Sequence, residues 1–157
     1  MTMLSERAQE YWDDFVSKTG VRAMPGCAYS FGDSAEMADE LLELILHGPK
    51  RATAGLARPH VDEPLPRVGE YSIVLDGRGQ PACIIVTTDV EVKPLSAVDA
   101  QFAWDEGEGD RSLAYWMDAH TSFFTRQAAS EGFEMHPNIE IVCERFRVVW
   151  PEPDPTP

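Results

Sequence analysis

Hydrophobic and polar positions alternate along this chain in two distinct periods. In "LSERAQEYWDDFVSKTG" the residues Ala8, Trp12, Phe15 and Val16 recur at helical spacing, and Gly20 supplies a stop. The linker "VRAMPGCAYSFGD" follows, and "DSAE" then opens a second helix. Asp33 is the expected cap there, with Glu36 reaching back, and Met37, Leu41, Leu44 and Ile45 form one face until His47 and Gly48. A third helix is predicted from about Asp110 to Gly132. Leu113, Trp116, Met117, His120, Phe123 and Phe124 make its apolar face.

Between these helices the period drops to two. "EYSIVL", the turn "DGRGQP" and "ACIIVTTDVEV" read as a hairpin, with Val90 and Val92 alternating against Asp89, Glu91 and Lys93. "RATAGLA" and "IEIVCERFRVVW" are two further strands. "RPHVDEPLPRVGE" is a Pro-rich loop. "KPLSAVDAQFAWDEGEGD" is a short helical piece followed by an acidic, Gly-broken loop. Strands do not alternate regularly with helices, which disfavours a doubly wound parallel sheet. The expectation is an α+β protein built on a small mixed or antiparallel β-barrel with flanking helices. Residues 1–29 form a helical extension and linker, 30–150 the main domain, and 151–157 a tail too rich in Pro to fold alone.

Composition narrows the function. At 157 residues the chain has the size of one domain. Its 13 Lys and Arg against 27 Asp and Glu leave a net charge of −14. That field repels a polyanion over a Debye length of about 8 Å, so a small-molecule site fits better than a broad nucleic-acid surface. No apolar run approaches the roughly 20 residues of a membrane span, and the charged N-terminus argues against export. A cytoplasmic protein with buried free thiols at Cys27, Cys83 and Cys143 is expected. The cysteines and the four scattered histidines show no metal-ligand spacing, so no metal or cofactor is predicted. His120, on an apolar helix face, reads as a hydrogen-bonded core residue.

One junction stands out. "HGPKRATAG" places two scarce basic residues, Lys50 and Arg51, between a helix end and a strand. A pair of cations there complements the helix dipole. Taken with "LLELILHGPKRATAG", "VGEYSIVLDGRGQPACIIVTTDVEV", "EGEGDRSLAYWMDAHTSFF" and "IVCERFRVV", however, it resembles the ASCH (activating signal cointegrator homology) family. The likeness spans about residues 30 to 150 and includes a G-x-K-x-x-T element, here Gly48, Lys50 and Thr53.

The resemblance implies a PUA-like β-barrel with flanking helices. It also implies one of two activities: RNA binding or cleavage, or, as in a small bacterial branch, hydrolysis of the acetyl amide of N4-acetylcytidine. In that branch the working residues are the motif Lys and Thr and a Glu before the later helix, which match Lys50, Thr53 and Glu106, with Glu108 close enough to substitute. The motif's surroundings differ, with Arg51 after the Lys and Ala54-Gly55 after the Thr. Implied partners are a small nucleoside or short RNA, with a homodimer left open.

In the amidohydrolase reading, Thr53 attacks the acyl carbon or orients a water that does so. Lys50 takes the proton if burial or a neighbouring cation such as Arg51 lowers its pKa. Glu106 holds the Lys or protonates the departing amine. Lys50 and Thr53 meet only if the chain turns or bulges between Pro49 and Ala52, and Arg51 would then face the other way. Trp104 and Tyr115 border the acidic loop and offer rings for a nucleobase. Asp110 and Ser112 read as helix caps.

Overall fold

The computed structural model describes residues 4–151. Met1–Met3 of the expected extension and residues 152–157 of the expected tail lie outside the described residues. The chain forms helices α1 (Glu6–Thr19), α2 (Ala35–His47), α3 (Ala100–Glu106) and α4 (Leu113–Glu131). Its strands are β1 (Ala28–Tyr29), β2 (Ala52–Leu56), β3 (Tyr71–Leu75), β4 (Pro81–Pro94) and β5 (Glu140–Trp150). The strands are hydrogen-bonded in the order β1-β3-β4-β5-β2. β1 runs parallel to β3, while β3–β4 and β2–β5 are antiparallel. The α+β class and the mixed sheet are as the pattern implied, but the sheet is not closed: β1 and β2 stand at the two ends of its order. Among the described residues no helix is long and apolar enough to cross a membrane.

Two compact units make up the fold. The first comprises the chain through Gly48, Arg67–Thr88 and the residues from Phe146 on; the second comprises Pro49–Pro66 and Asp89–Arg145. In the first unit, Ser5 caps α1 by accepting from the Ala8 amide, and Gly20 ends it in the left-handed conformation. α1 buries Ala8, Trp12 and Phe15 against Ile73 of β3 and Ile84 of β4. Each of the two aromatic side chains contributes about 1.5–3 kcal/mol of burial.

α2 starts one residue later than expected. Ser34, not Asp33, is the cap and accepts from the Met37 amide, which leaves Glu36 one position short of a capping box. The fully buried stripe is accordingly Ala38, Leu42 and Ile45, with Leu41 and Leu44 half-buried beside it. The hairpin forms as predicted. The Asp76 carboxylate accepts from the amides of Arg78 and Gln80 at 2.8 and 3.0 Å and shapes its turn. β1 is a strand the sequence pattern did not reveal. It lies in the segment read as linker and gains its ladder partly through the carbonyl of Cys27, which accepts from the Ile73 amide. That edge position leaves the Cys27 side chain exposed, correcting the expectation of three buried thiols; Cys83 and Cys143 are buried.

The second unit has its own core of Ala52, Leu56, Leu95, Val98, Phe102, Ala103, Trp116, Phe124, Ile139, Ile141 and Cys143. Two strands and two helices supply most of it. β2 pairs with β5 in the register Ala52↔Arg145 to Leu56↔Ile141. Asp99 caps α3 through the Phe102 amide. α3 runs further into the acidic stretch than predicted and takes in Asp105 and Glu106 before Gly107 stops it. At α4 the cap is Ser112, which accepts from the Tyr115 amide. Asp110, expected as the cap, accepts from the Ser112 amide instead. Val92 of the predicted inner face of β4 is exposed.

Candidate functional site

The chain reaches the site from the residue that ends α2. Gly48 closes the helix with its amide on the Leu44 carbonyl, and Pro49 cannot continue it. Lys50 then stands just before β2 with its side chain only 1% exposed. Its backbone is pinned at the next residue, where the Arg51 amide donates to the Asp105 carbonyl at 2.8 Å. Asp105 is held from its other side by Arg145, whose Nε donates to Oδ2 at 2.9 Å. The last turn of α3 is thereby fixed beside Lys50.

Gly107 makes the approach possible. It adopts φ +67, and a Cβ there would lie 2.7 Å from the Lys50 amide nitrogen and from the Pro49 carbonyl carbon. Both are backbone atoms that cannot yield, so only Gly fits between Glu106 and Glu108. The "EGEGD" pattern thus lets two carboxyl groups converge on one ammonium.

Lys50 Nζ donates to Glu106 Oε1 at 2.6 Å, to the Ala52 carbonyl at 2.8 Å and to Glu108 Oε2 at 3.0 Å. Those three acceptors match the three N–H groups of an ammonium. Glu106 is also only 1% exposed. Its second oxygen, Oε2, accepts from the Trp116 indole at 2.7 Å and from His120 Nε2 at 3.0 Å. Glu108 is 21% exposed and hydrogen-bonds Glu106 as well.

The protonation pattern follows. Burial alone would push Lys50 down, but the charges of Glu106 and Glu108 and their hydrogen bonds outweigh it and raise the ammonium above its ordinary value. Burial would likewise raise Glu106. Lys50, His120 and the Glu108 hydrogen bond reverse that and hold Glu106 well below the usual carboxylate range. Glu108 goes the other way: burial and the neighbouring Glu106 charge raise it against the pull of Lys50. Burial would lower His120, yet its hydrogen bond and charge interaction with Glu106 raise it. Two carboxyls therefore sit on one Lys with their pKa values pushed apart.

Lys50, Glu106 and Glu108 are brought together, but the turn or bulge expected between Pro49 and Ala52 to join Lys50 to Thr53 does not form. β2 starts regularly at Ala52, and the Lys50 ammonium donates to the Ala52 carbonyl instead. The expectation that burial frees Lys50 to act as a base is corrected: two carboxylates surround it and keep its proton on. Thr53 is half-buried on β2 and stands opposite Glu144. Strand alternation turns it to the other face from Ala52 and Leu56, and no hydrogen bond joins it to Lys50 or Glu106 among the described residues. Arg51 is half-buried, and its Nη1 donates to the Lys50 carbonyl. Trp104 and Tyr115 are 52% and 44% exposed. The Arg111 guanidinium covers one face of Trp104, 3.6 Å from the ring centroid, and Gly109 packs against the Tyr115 ring.

Three residues escaped sequence reading. Trp116 and His120 fit a core face, and only their spacing of four hinted that both could point at one acceptor. Glu144, only 8% exposed, alternates as part of an ordinary strand. Glu106, Glu108 and His120 each bring one ligand atom within 4.8 Å of the others, a spacing a metal ion can use. The Lys50 ammonium is in contact with both carboxyl groups.

An open mixed sheet with flanking helices and a buried Lys–carboxyl cluster at the helix-to-strand junction defines a PUA-like α+β domain. The family model of the ASCH domain matches residues 27–150, and the chain belongs to that family. It is similar to the crystal structure of an ASCH domain from Lactobacillus crispatus JV V101, with 32% identity, a TM-score of 0.85, and coverage of 94% of this chain and 97% of that one. It is also similar to the crystal structure of a protein of the DUF984 family model from Enterococcus faecalis V583. There the identity is 35% and the TM-score 0.84, covering 92% of this chain and 88% of that one. No curated protein matches the chain.

Proposed function

We propose that this ASCH protein is a hydrolase that removes an acyl group from the exocyclic amine of a modified pyrimidine nucleoside, N4-acetylcytidine being the type substrate. The observation that carries the reading is the pair of carboxyls on Lys50 with opposed pKa shifts. Such a pair supplies one group that stays ionised and one that takes up a proton more readily than an ordinary carboxylate. Support also comes from the G-x-K-x-x-T element at Gly48, Lys50 and Thr53.

Glu108, partly open to solvent, is the proton carrier. Lys50 and Glu106 hold it and set its charge. The nucleophile is the Thr53 hydroxyl or a water that Thr53 orients. In the direct-water route the O–H proton passes to the Glu108 carboxylate as oxygen adds to the acyl carbon. Glu108 returns that proton to the nucleobase nitrogen as the C–N bond breaks, giving acetate and cytidine. Catalysis by a positioned carboxyl of this kind is worth about 10²–10⁴-fold.

The test is release of cytidine from N4-acetylcytidine by the purified chain and by Thr53→Ala and Lys50→Met. Turnover by the wild type that both substitutions abolish supports the reading. Turnover unaffected by both, or no turnover on any acylated cytidine, overturns it. A residual rate in Thr53→Ala assigns attack to water.

A second reading, binding of single-stranded RNA, is favoured by the exposed rings of Trp104 and Tyr115, the former backed by Arg111. RNA titration at two salt concentrations separates the two readings, since phosphate-driven binding weakens steeply with salt. The net charge of −14 works against it.

A further inference from the structure

His120 lies on α4 one turn beyond Trp116, and the two rings stack with centroids 4.0 Å apart and planes 14° from parallel. Both rings aim an N–H at the same oxygen: Trp116 Nε1 and His120 Nε2 each meet Glu106 Oε2, at 2.7 and 3.0 Å. The other imidazole nitrogen, Nδ1, is 2.9 Å from the Trp116 carbonyl oxygen. Each ring nitrogen of His120 therefore faces an oxygen that can only accept. A neutral imidazole has one N–H and would set a lone pair against one of those oxygens; the imidazolium, with two N–H groups, satisfies both. The flat stack on the Trp116 ring also favours a cation.

We propose that His120 is a positioning residue of this site: clamped as an imidazolium between Glu106 and the Trp116 carbonyl, it keeps Glu106 ionised and so leaves Glu108 as the carboxyl that carries protons. The inference rests on the hydrolase reading for its consequence in catalysis but not for the clamp itself. The charged groups that act on the imidazole are Glu106 at the end of α3 and Glu108 in the loop after it; Lys50, ahead of β2, meets the other oxygen of Glu106. Phe124, on the same helix, closes the other side of the ring. With His120 13% exposed, protons can still exchange with solvent.

The structural role and the catalytic consequence have separate readouts. In the full chain the imidazole signals of His47, His60, His120 and His136 are followed by NMR against pH, with His120→Gln assigning the signal. The clamp predicts that the His120 signal titrates above the ordinary value of 6.5. It also predicts that the signal moves back down in Glu106→Gln, where the carboxylate is gone but the shape remains. Titration at or below the ordinary value, or a raised value unchanged in Glu106→Gln, overturns the clamp; should Glu106→Gln fail to fold, the wild-type titration decides alone.

Where the wild type hydrolyses N4-acetylcytidine, His120→Gln should lower kcat by about tenfold or more at neutral pH with little change in KM. It should also move the acid limb of the pH–rate profile to higher pH, because a cation has left the carboxyl pair. An unshifted profile overturns the positioning role. A wild type that hydrolyses nothing removes the hydrolase reading while the NMR result still decides the clamp.

Discussion

The two units of this protein fill their interiors in different ways. The first buries Trp12, Phe15, Phe31, Ile45, Ile73, Ile84 and Phe146, and among its described residues the buried polar side chains are Ser72 and Thr87. The second builds an apolar core of similar kind and then buries Lys50, Glu106 and Glu144 as well. Desolvating an ion costs several kcal/mol, and well-packed apolar residues hold such a position as firmly or more so. Stability alone therefore does not explain the second arrangement. The first unit shows what this chain does when a core needs only to be a core, and the contrast singles out the Lys50 cluster as the place for the proposed chemistry.

The largest predicted effect breaks that cluster from inside. Lys50→Met leaves two carboxyls without their cation and should lower stability by about 3–5 kcal/mol in urea unfolding. Combining Lys50→Met with Glu106→Leu should recover part of that loss, since the stranded charge goes too. Phe15→Ala in the first unit should cost a similar amount, about 3–5 kcal/mol, with no such recovery available.

The pH dependence sharpens the same contrast. Glu106 is depressed on folding, so its contribution is fully present above its unfolded value near 4.5 and is lost as pH falls towards its folded value. His120 is raised, so its contribution is present below about 6.5 and is lost as pH rises through its folded value. Thermal unfolding across pH should show both losses. Glu106→Gln should flatten the acid side and His120→Gln the alkaline side, whereas Phe15→Leu should lower stability and keep the wild-type shape. An acid slope that survives Glu106→Gln would assign it elsewhere.

Smaller effects come from the backbone that frames each unit. Gly107→Ala forces a Cβ onto the backbone of Pro49 and Lys50 at positive φ and should cost about 1–3 kcal/mol, with loss of any turnover. Ser34→Ala on α2 and Ser112→Ala on α4 remove one cap each, about 1 kcal/mol apiece. Only the second should disturb the site, because α4 carries Trp116 and His120. Equal effects of the two caps on turnover would argue against that.

The legible parts of the molecule are those whose signals are local. Period and punctuation located α1, α4, the β3–β4 hairpin and β5, and the scarcity of cations singled out Lys50. Glu106 and Glu108 came with the family resemblance and not from spacing. Features set by distant contacts stayed hidden. β1 exists because β3 offers it an edge, not because "CAY" resembles a strand. Asp33 and Ser34 cap equally well on paper, and the packing of Ala38 and Leu42 chooses between them. His120 and Trp116 look like core until α3 brings Glu106 beneath them. The protonation of Lys50 was misread for the same reason: burial could be inferred from sequence, but not the two carboxyls that reverse its effect.

The central claim, that the cluster is kept for proton transfer at Glu108, is tested most directly by Glu108→Gln. Glutamine keeps the shape of the side chain and removes its capacity to take up and return a proton, so stability should fall far less than in Lys50→Met. Release of cytidine from N4-acetylcytidine should fall by about 10²-fold or more. Turnover that persists at the wild-type rate would contradict the account, as would a loss of stability matching that of Lys50→Met.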